Sequence, residues 1–307
     1  MTTVGVTISV LNGAATLGQA LGSVAGQTRA PDQVVVVDDG STDDTYSVAR
    51  AWEGVLPLRV VRHETNRGVA VGRMTAMAEV GTDLVLAVDA DDAWLPHHLQ
   101  CLLHAYEARR GTVSPMAVAW EPGAAQPVEW TTRRQPLPKS LDLEHLLIMN
   151  WVFSGSLFER KAFEAVGGTY RYPGCEDWDL WLRMARRGVP VSVLHEPTVL
   201  YRVHAGSISA EDRMLPREIE VLEGFLRETL DPRLRAVARR SLRHRHARIA
   251  LRAAYDHARA GRGTAARRAV VGSLRGPRPV KLRAAAMVMA PAQTVRRRDL
   301  VHRAPGP

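Results

Sequence analysis

Cysteine is scarce in this chain. Among 307 residues only Cys101 and Cys175 occur, too few for a disulfide framework, and they make no zinc site. A reducing cytoplasm suits that count. No run of 18 apolar residues free of charge is present, so no membrane span is expected. The opening stretch, MTTVGVTISVLNG, lacks the basic n-region of a signal peptide and reads as a strand. Lysine is nearly absent, and arginine carries almost all the positive charge; coding bias accounts for part of this, so it is not read as a functional signal. Aromatic residues are missing from most of the C-terminal region, where only Phe225 and Tyr255 follow residue 210. A basic segment without interleaved aromatics is a poor nucleic-acid binder, so no nucleic-acid partner is expected.

What is present is ordinary in amount and unusual in placement. Hydrophobic residues make up 46% and charged residues 24%, as in a globular protein. The net charge of +9 is unevenly spread. Residues 1–210 carry 18 Lys and Arg against 23 Asp and Glu, whereas residues 211–307 carry 23 against 9. The chain reads as a mildly acidic body, 1–210, followed by a strongly basic helical region, 211–307.

Apolar patterning divides the body into alternating strands and helices. Residues 4–10 read as a strand and 16–26 as a helix. Val34–Val37 is a β-branched run that suits a strand covered on both faces, and a helix follows over 45–52. Strand LRVVRHE (58–64), a helical stripe through Val69, Ala70, Arg73, Met77 and Val80, strand DLVLAVDADD (83–92) and helix HHLQCLLHAYEARRG continue the alternation, with Gly111 as the stop. Four such repeats predict an α/β, mostly parallel sheet flanked by helices. Beyond it, 112–138 has weak periodicity, 156–168 reads as a short strand and a helix ended by Gly167-Gly168, and EDWDLWLRMARRG (176–188) as an amphipathic helix. PVSVLHEPTVLYRVH reads as one or two short strands. From Glu211 only helices are expected, two of them joined at Gly261-Arg262-Gly263, with the last 14 residues frayed.

Two strands end on acidic residues. VVVVDDGSTDDT (34–45) stops on Asp38-Asp39, and LAVDADD (86–92) on Asp89, Asp91 and Asp92. One Asp and a Gly explain a turn. They do not explain two acidic clusters on the carboxyl edge of one parallel sheet, where ligands of open α/β folds bind. Strand alternation sends Asp89 and Asp91 to one face. Such a pair suits a hard cation, Mg²⁺ or Mn²⁺, shared with a diphosphate. The plain alternative is an acidic turn with Asp92 capping the next helix.

In order, VVVVDDGSTDDT, NRGVAVGRMTAM, LAVDADDAWLP, EDWDLWLRMARRG and YRVHAGSIS resemble the motif series of family 2 glycosyltransferases over roughly residues 4–210. The resemblance implies a GT-A (Rossmann-like) fold; the C-terminal all-helical extension lies outside it. It implies an inverting enzyme that moves a sugar from a nucleotide-diphosphate sugar to a hydroxyl acceptor with a metal ion, Mg²⁺ or Mn²⁺. By position, Asp39 matches the carboxylate that holds the nucleotide base, Arg73 a basic residue on the nucleotide, Asp89 the ribose-side and Asp91 the metal-side carboxylate. Asp177 matches the general base, and His204 a histidine that reaches the metal or diphosphate in some relatives. Asn12, Gly68, Glu176 and Trp178 complete the implied donor-binding set. The family usually has Pro and an aromatic before the Asn that closes strand one; here Ser9 and Leu11 stand there, so the base-stacking aromatic is absent.

The bland readings remain beside these. Asp177 at a helix start is favoured by the helix dipole alone, and Trp178 and Trp181 at helical spacing suit a core, Trp181 above all. Arg73 suits a solvated helix face and His204 a strand end. A nucleotidyltransferase would carry a basic Gly-rich loop after strand one, which VLNGAATLG lacks; a decayed nucleotide-binding relative would not be expected to keep every carboxylate. The basic region suits peripheral contact with an anionic membrane if the acceptor is a lipid-linked glycan, or a solvated or dimer-forming face.

Overall fold

The structure is a computed structural model that describes residues 2–120, 138–202, 214–229 and 231–273. Two compact units make up the chain, Met1–Ala205 and Gly206–Pro307.

The first unit is built on one mixed sheet. Strands β1 (Val4–Val10), β2 (Gln33–Asp38), β3 (Leu58–Arg62) and β4 (Leu84–Asp89) form its parallel half in the order β3-β2-β1-β4. Helices α1 (Ala14–Ala25), α2 (Thr45–Arg50) and α3 (Val69–Glu79) connect them. β1 and β2 are buried along nearly their whole length; β2 accordingly runs apolar without alternation, while β1 alternates Val and Ile with the small residues Gly5, Thr7 and Ser9. The register pairs Val10 with Asp38 and Ser9 with Asp89. Both acidic strand ends therefore flank the end of β1, and the strand order reverses there, between β1 and β4.

The second half of the sheet departs from the sequence reading. β5 (Ala93–Trp94) and α4 (His98–Arg109) lead into β6 (Thr112–Trp120), a nine-residue strand in the segment that showed little periodicity. β7 (Ser140–Leu141), α5 (Leu143–Ile148), β8 (Leu157–Glu159), α6 (Arg160–Ala165), α7 (Glu176–Arg186) and β9 (Val191–Arg202) complete the unit. β8 pairs antiparallel with both β4 and β6, and β6 runs parallel to β9. β6 stays buried while Pro115 breaks its ladder, so neither alternation nor an unbroken apolar run marks it. β9 is one strand of twelve residues with register shifts inside it, where one or two short strands were expected.

The second unit is helical where it is described: α8 (Leu215–Glu228), α9 (Pro232–Arg259) and α10 (Gly263–Ser273). Asp231 caps α9 by accepting from the N–H groups of Arg233 and Leu234, with Pro232 in the first turn. Ala247, Leu251, Ala254 and Val270 form the core between α9 and α10. Buried Arg245 donates to Glu218 at 2.6 Å, tying α9 to α8. No helix among the described residues is long and apolar enough to cross a membrane.

Candidate active site

The first acidic strand end is a turn held largely by its own carboxylates. Asp38 is fully buried; its Oδ1 accepts from the Ser41 N–H at 2.9 Å and its Oδ2 faces Arg62 Nε at 3.2 Å. Asp39 Oδ1 accepts from His63 Nδ1 at 2.6 Å and from the Arg67 N–H at 3.0 Å, and Oδ2 accepts from the Gly68 N–H at 2.8 Å. His63 in turn reaches Thr75 on α3. Asp39 therefore holds the Asn66–Gly68 turn onto the end of β2, and Oδ2 keeps one acceptor position. Gly68 sits at φ 93°, the left-handed region that favours glycine, and starts α3. Asn12 closes β1 as expected: its side chain accepts from the Thr42 N–H at 2.9 Å. Leu11 beside it is 43% exposed.

The second acidic strand end differs from its sequence reading. β4 stops at Asp89, and the Asp92 N–H donates to the Asp89 carbonyl. Asp91 therefore sits in a turn, and strand alternation does not set its direction. Asp92 does not cap α4, which starts at His98 behind His97. It is buried, accepting from the Arg202 N–H at 3.1 Å with its other oxygen unpaired. Burial, then the neighbouring Asp89 and Asp91, push its pKa well above the ordinary value, against the Arg202 N–H and guanidinium. The Arg202 Nε–H also donates to the Asp91 carbonyl at 2.9 Å, and its guanidinium lies 4.3 Å from the Trp120 ring centre. Asp89, Asp91 and Asp92 thus lie close enough for their charges to act on one another, and the Asp89 side chain is 41% exposed; oxygen donors are the kind a hard divalent cation takes.

One arginine joins the two halves. Arg73, on α3, donates to Asp89 Oδ1 at 2.8 Å and lies 3.4 Å from Glu176 Oε1 at the start of α7. It can come this close because Gly72 packs on β1, where a Cβ would strike Ser9 Oγ. Burial opposes the Arg73 charge, but Asp89, Glu176 and Asp177 outweigh it and hold its pKa above the ordinary value. The alternative of a solvated helix face does not hold for Arg73.

Asp177 is next to this link. Its Oδ2 accepts from the Asn150 amide at 2.9 Å and its Oδ1 from the Trp178 N–H at 2.7 Å. Burial, then Glu176, push its pKa up to about 6, against Arg73 and those two hydrogen bonds. The helix dipole would favour the anion; burial and the second carboxylate prevail. Trp178 does not fit the expected donor-binding set. It is 1% exposed and its indole N–H donates to the Leu146 carbonyl, so its ring is core and has no face for a ligand. Trp181 is core as expected. His204 lies outside the described residues.

The structure thus brings Arg73, Asp89, Glu176 and Asp177 together and places Asp39, Asn12 and Gly68 at the neighbouring turn. Sequence reasoning missed His63, Asn150 and Arg202. Arg202 stood inside a quoted motif; the other two reach their partners only through the fold.

The comparisons agree with this architecture. The family model described as Glycosyl transferase family 2 matches residues 6–167. Succinoglycan biosynthesis protein ExoU of Rhizobium meliloti (strain 1021) is 33% identical over 268 residues, covering 82% of this chain and 78% of its own. Among solved structures, S. aureus TarS 1-349 in complex with UDP-GlcNAc superposes with a TM-score of 0.65 at 18% identity, covering 92% of this chain and 87% of that one. Mannosyltransferase PcManGT from Pyrobaculum calidifontis, in complex with GDP-Man and Mn²⁺, does so with a TM-score of 0.62 at 20% identity, covering 94% and 80%. With the parallel β3-β2-β1-β4 core and its helical flanks, these matches fix the assignment: the chain belongs to glycosyl transferase family 2 and is a glycosyltransferase of the GT-A fold.

Proposed function

We propose that residues 1–210 transfer one sugar, with inversion, from a nucleotide-diphosphate sugar to a hydroxyl of a glycan or lipid-linked acceptor, and that Asp177 is the general base. The observation that carries this reading is the Arg73 bridge, which ties the Asp89 strand end to the Glu176-Asp177 helix start in one site. Inversion is a single in-line displacement: the acceptor oxygen bonds to the anomeric carbon as the nucleoside diphosphate leaves. The acceptor proton needs a base near its working pH, and Asp177, pushed up to about 6, is suited to take it. Asn150 holds one Asp177 oxygen and the Trp178 N–H the other, which fixes the carboxylate's direction.

Asp39, though buried and already accepting three hydrogen bonds, would give its remaining Oδ2 acceptor position to a base N–H, and Asn12 and Gly68 shape the adjoining turns. Asp89 faces the ribose side, and Asp89 and Asp91 would hold Mg²⁺ or Mn²⁺, with His204 as a further ligand. When bound, the ion offsets charge on the departing diphosphate. PcManGT, with its GDP-Man and Mn²⁺, and TarS, with UDP-GlcNAc, support this donor chemistry. ExoU's part in succinoglycan biosynthesis supports cell-envelope polysaccharide as the product class. Exposed Arg239, Arg240, Arg243 and His246 crowd one side of α9 and suit peripheral contact with an anionic membrane at its cytoplasmic face.

A thermal-shift screen of UDP, GDP, dTDP and CDP, each with and without Mn²⁺ or Mg²⁺, tests the donor site. The expected result is a metal-dependent rise in Tm with one nucleotide class. The Asp177→Asn variant is expected to keep that shift and lose transfer; weakened nucleotide binding with transfer intact would remove Asp177 as the base.

A further inference from the structure

Outside the transfer site, three Lewis bases of different kinds converge at the start of α4. His97 occupies the N-cap position, and the Cys101 N–H donates to the His97 carbonyl at 2.9 Å. The two side chains therefore stack one turn apart on the same side of the helix. Glu196 comes from β9. The β6–β9 register runs from Ser114 with Val193 to Met116 with Pro197, so residues 194–196 leave the ladder. A bulge of this kind re-aims side chains, and here it carries the Glu196 carboxylate to 3.4 Å from His97 Nε2. One nitrogen, one sulfur and one carboxylate oxygen of the three residues lie within 4.8 Å of one another.

His97 Nε2 is shielded from solvent and makes no hydrogen bond. A shielded imidazole nitrogen that faces a carboxylate without hydrogen-bonding to it is a cost, and a cation bound between the two would remove it. Its neighbour His98 does not share this feature: it is buried, facing Thr198 Oγ1 and the Gly155 carbonyl. Cys101 is a free thiol.

We propose that His97, Cys101 and Glu196 form a zinc site, with the fourth position open to water. An imidazole, a thiolate and a carboxylate are the donors Zn²⁺ takes, and the 3.4 Å separation of nitrogen and oxygen matches the edge of a tetrahedron with bonds of about 2.0–2.1 Å. A thiolate ligand disfavours Mg²⁺ and Mn²⁺, so this site differs in chemistry from the oxygen donors of Asp89 and Asp91. Binding releases the Cys101 proton to solvent and places a dication between two anions. The ion would clasp the β9 bulge to the start of α4. The sequence reading, which looked for zinc in cysteine number and spacing, had no means of seeing it, because the third ligand comes from a bulge about a hundred residues away.

The test needs no sugar transfer. Chelator-treated full-length protein is titrated with Co²⁺ and read by absorption. The expected result is a near-ultraviolet thiolate-to-cobalt charge-transfer band with tetrahedral visible bands, saturating at one cobalt per chain and bleached by Zn²⁺ but not by excess Mg²⁺. Cys101→Ser is expected to abolish the charge-transfer band. Glu196→Gln, at an exposed side chain, should keep the fold and weaken cobalt binding at least about tenfold; it carries the test should Cys101→Ser fail to fold. No charge-transfer band in the wild-type protein, a band that persists in Cys101→Ser, or unchanged affinity in Glu196→Gln overturns the proposal.

Discussion

Leu11 stands where the resemblance implies an aromatic, and its exposure at the tip of β1, beside the Asp39 turn, turns that difference into a prediction. An aliphatic side chain packs against a base less well than an aromatic ring. Leu11→Tyr should therefore tighten nucleotide diphosphate binding roughly three- to tenfold, a gain of about 0.5–1.5 kcal/mol, measurable by calorimetry; unchanged affinity would separate Leu11 from the base. Asp177 gives a pH prediction. Its pKa is raised to about 6, and the base form is the ionised one, so kcat/KM should fall as pH drops through about 6. Asn150 donates to Asp177 and lowers its pKa; Asn150→Ala should move that acid limb to higher pH, while a merely structural role would lower activity equally at every pH. The sign for stability is opposite. A carboxyl whose folded pKa lies above its unfolded one favours folding most when protonated, and that contribution is lost as pH rises from about 4 through about 6. Asp177→Asn should thus be at least as heat-stable as the wild type at pH 7.5 while inactive. Asp177 was legible in the sequence because a motif marks it. Asn150 was not, because its role exists only once the loop after α5 meets α7.

Elements make the site by holding charges that no single segment could. Arg73 on α3, Asp89 on β4 and Glu176 on α7 come from three separate stretches, and the guanidinium donates to Asp89 while its Nε lies 3.4 Å from Glu176. Arg73→Met leaves Glu176, which is almost fully buried, without its cation. Half-exposed Asp89 loses less, so the expected cost is about 3 kcal/mol, read as a lower urea midpoint at unchanged slope. Arg73→Lys keeps the charge and loses the fork, and should fall between the two. Arg73→Met also removes the charge that lowers the Asp177 pKa, so the acid limb should move up, whereas Arg73→Lys, which keeps that charge, should move it less. The parallel half of the sheet, with its β-branched strands and intervening amphipathic helices, was readable in advance because each element buries a face that its own sequence repeats. β6 was not. Its ladder is broken at Pro115, and its partners β8 and β9 lie far along the chain, so the burial that makes it a strand is set by tertiary packing and not by local pattern. The same bulged β9 that defeated a simple strand reading carries Glu196 to His97.

At the scale of the molecule, charge distinguishes the two units. The core of the first unit is drawn from residues 4–201, and the described candidate site lies within that unit. The second unit has its own small core of Ala247, Leu251, Ala254 and Val270 and a surplus of arginine. Truncation after Ala210 should then leave a soluble protein that unfolds cooperatively and keeps the nucleotide-dependent rise in Tm. The full chain should sediment with vesicles containing anionic phospholipid, less so as salt is raised, because each basic side chain near such a surface contributes about 1 kcal/mol and salt screens it. The truncated protein should remain in the supernatant at every salt concentration. A full chain that ignores anionic vesicles would leave the arginine surplus as a solvated face. Insoluble truncated protein would mean that residues 211–307 complete the fold of the catalytic unit, and the division of labour between the units would have to be abandoned.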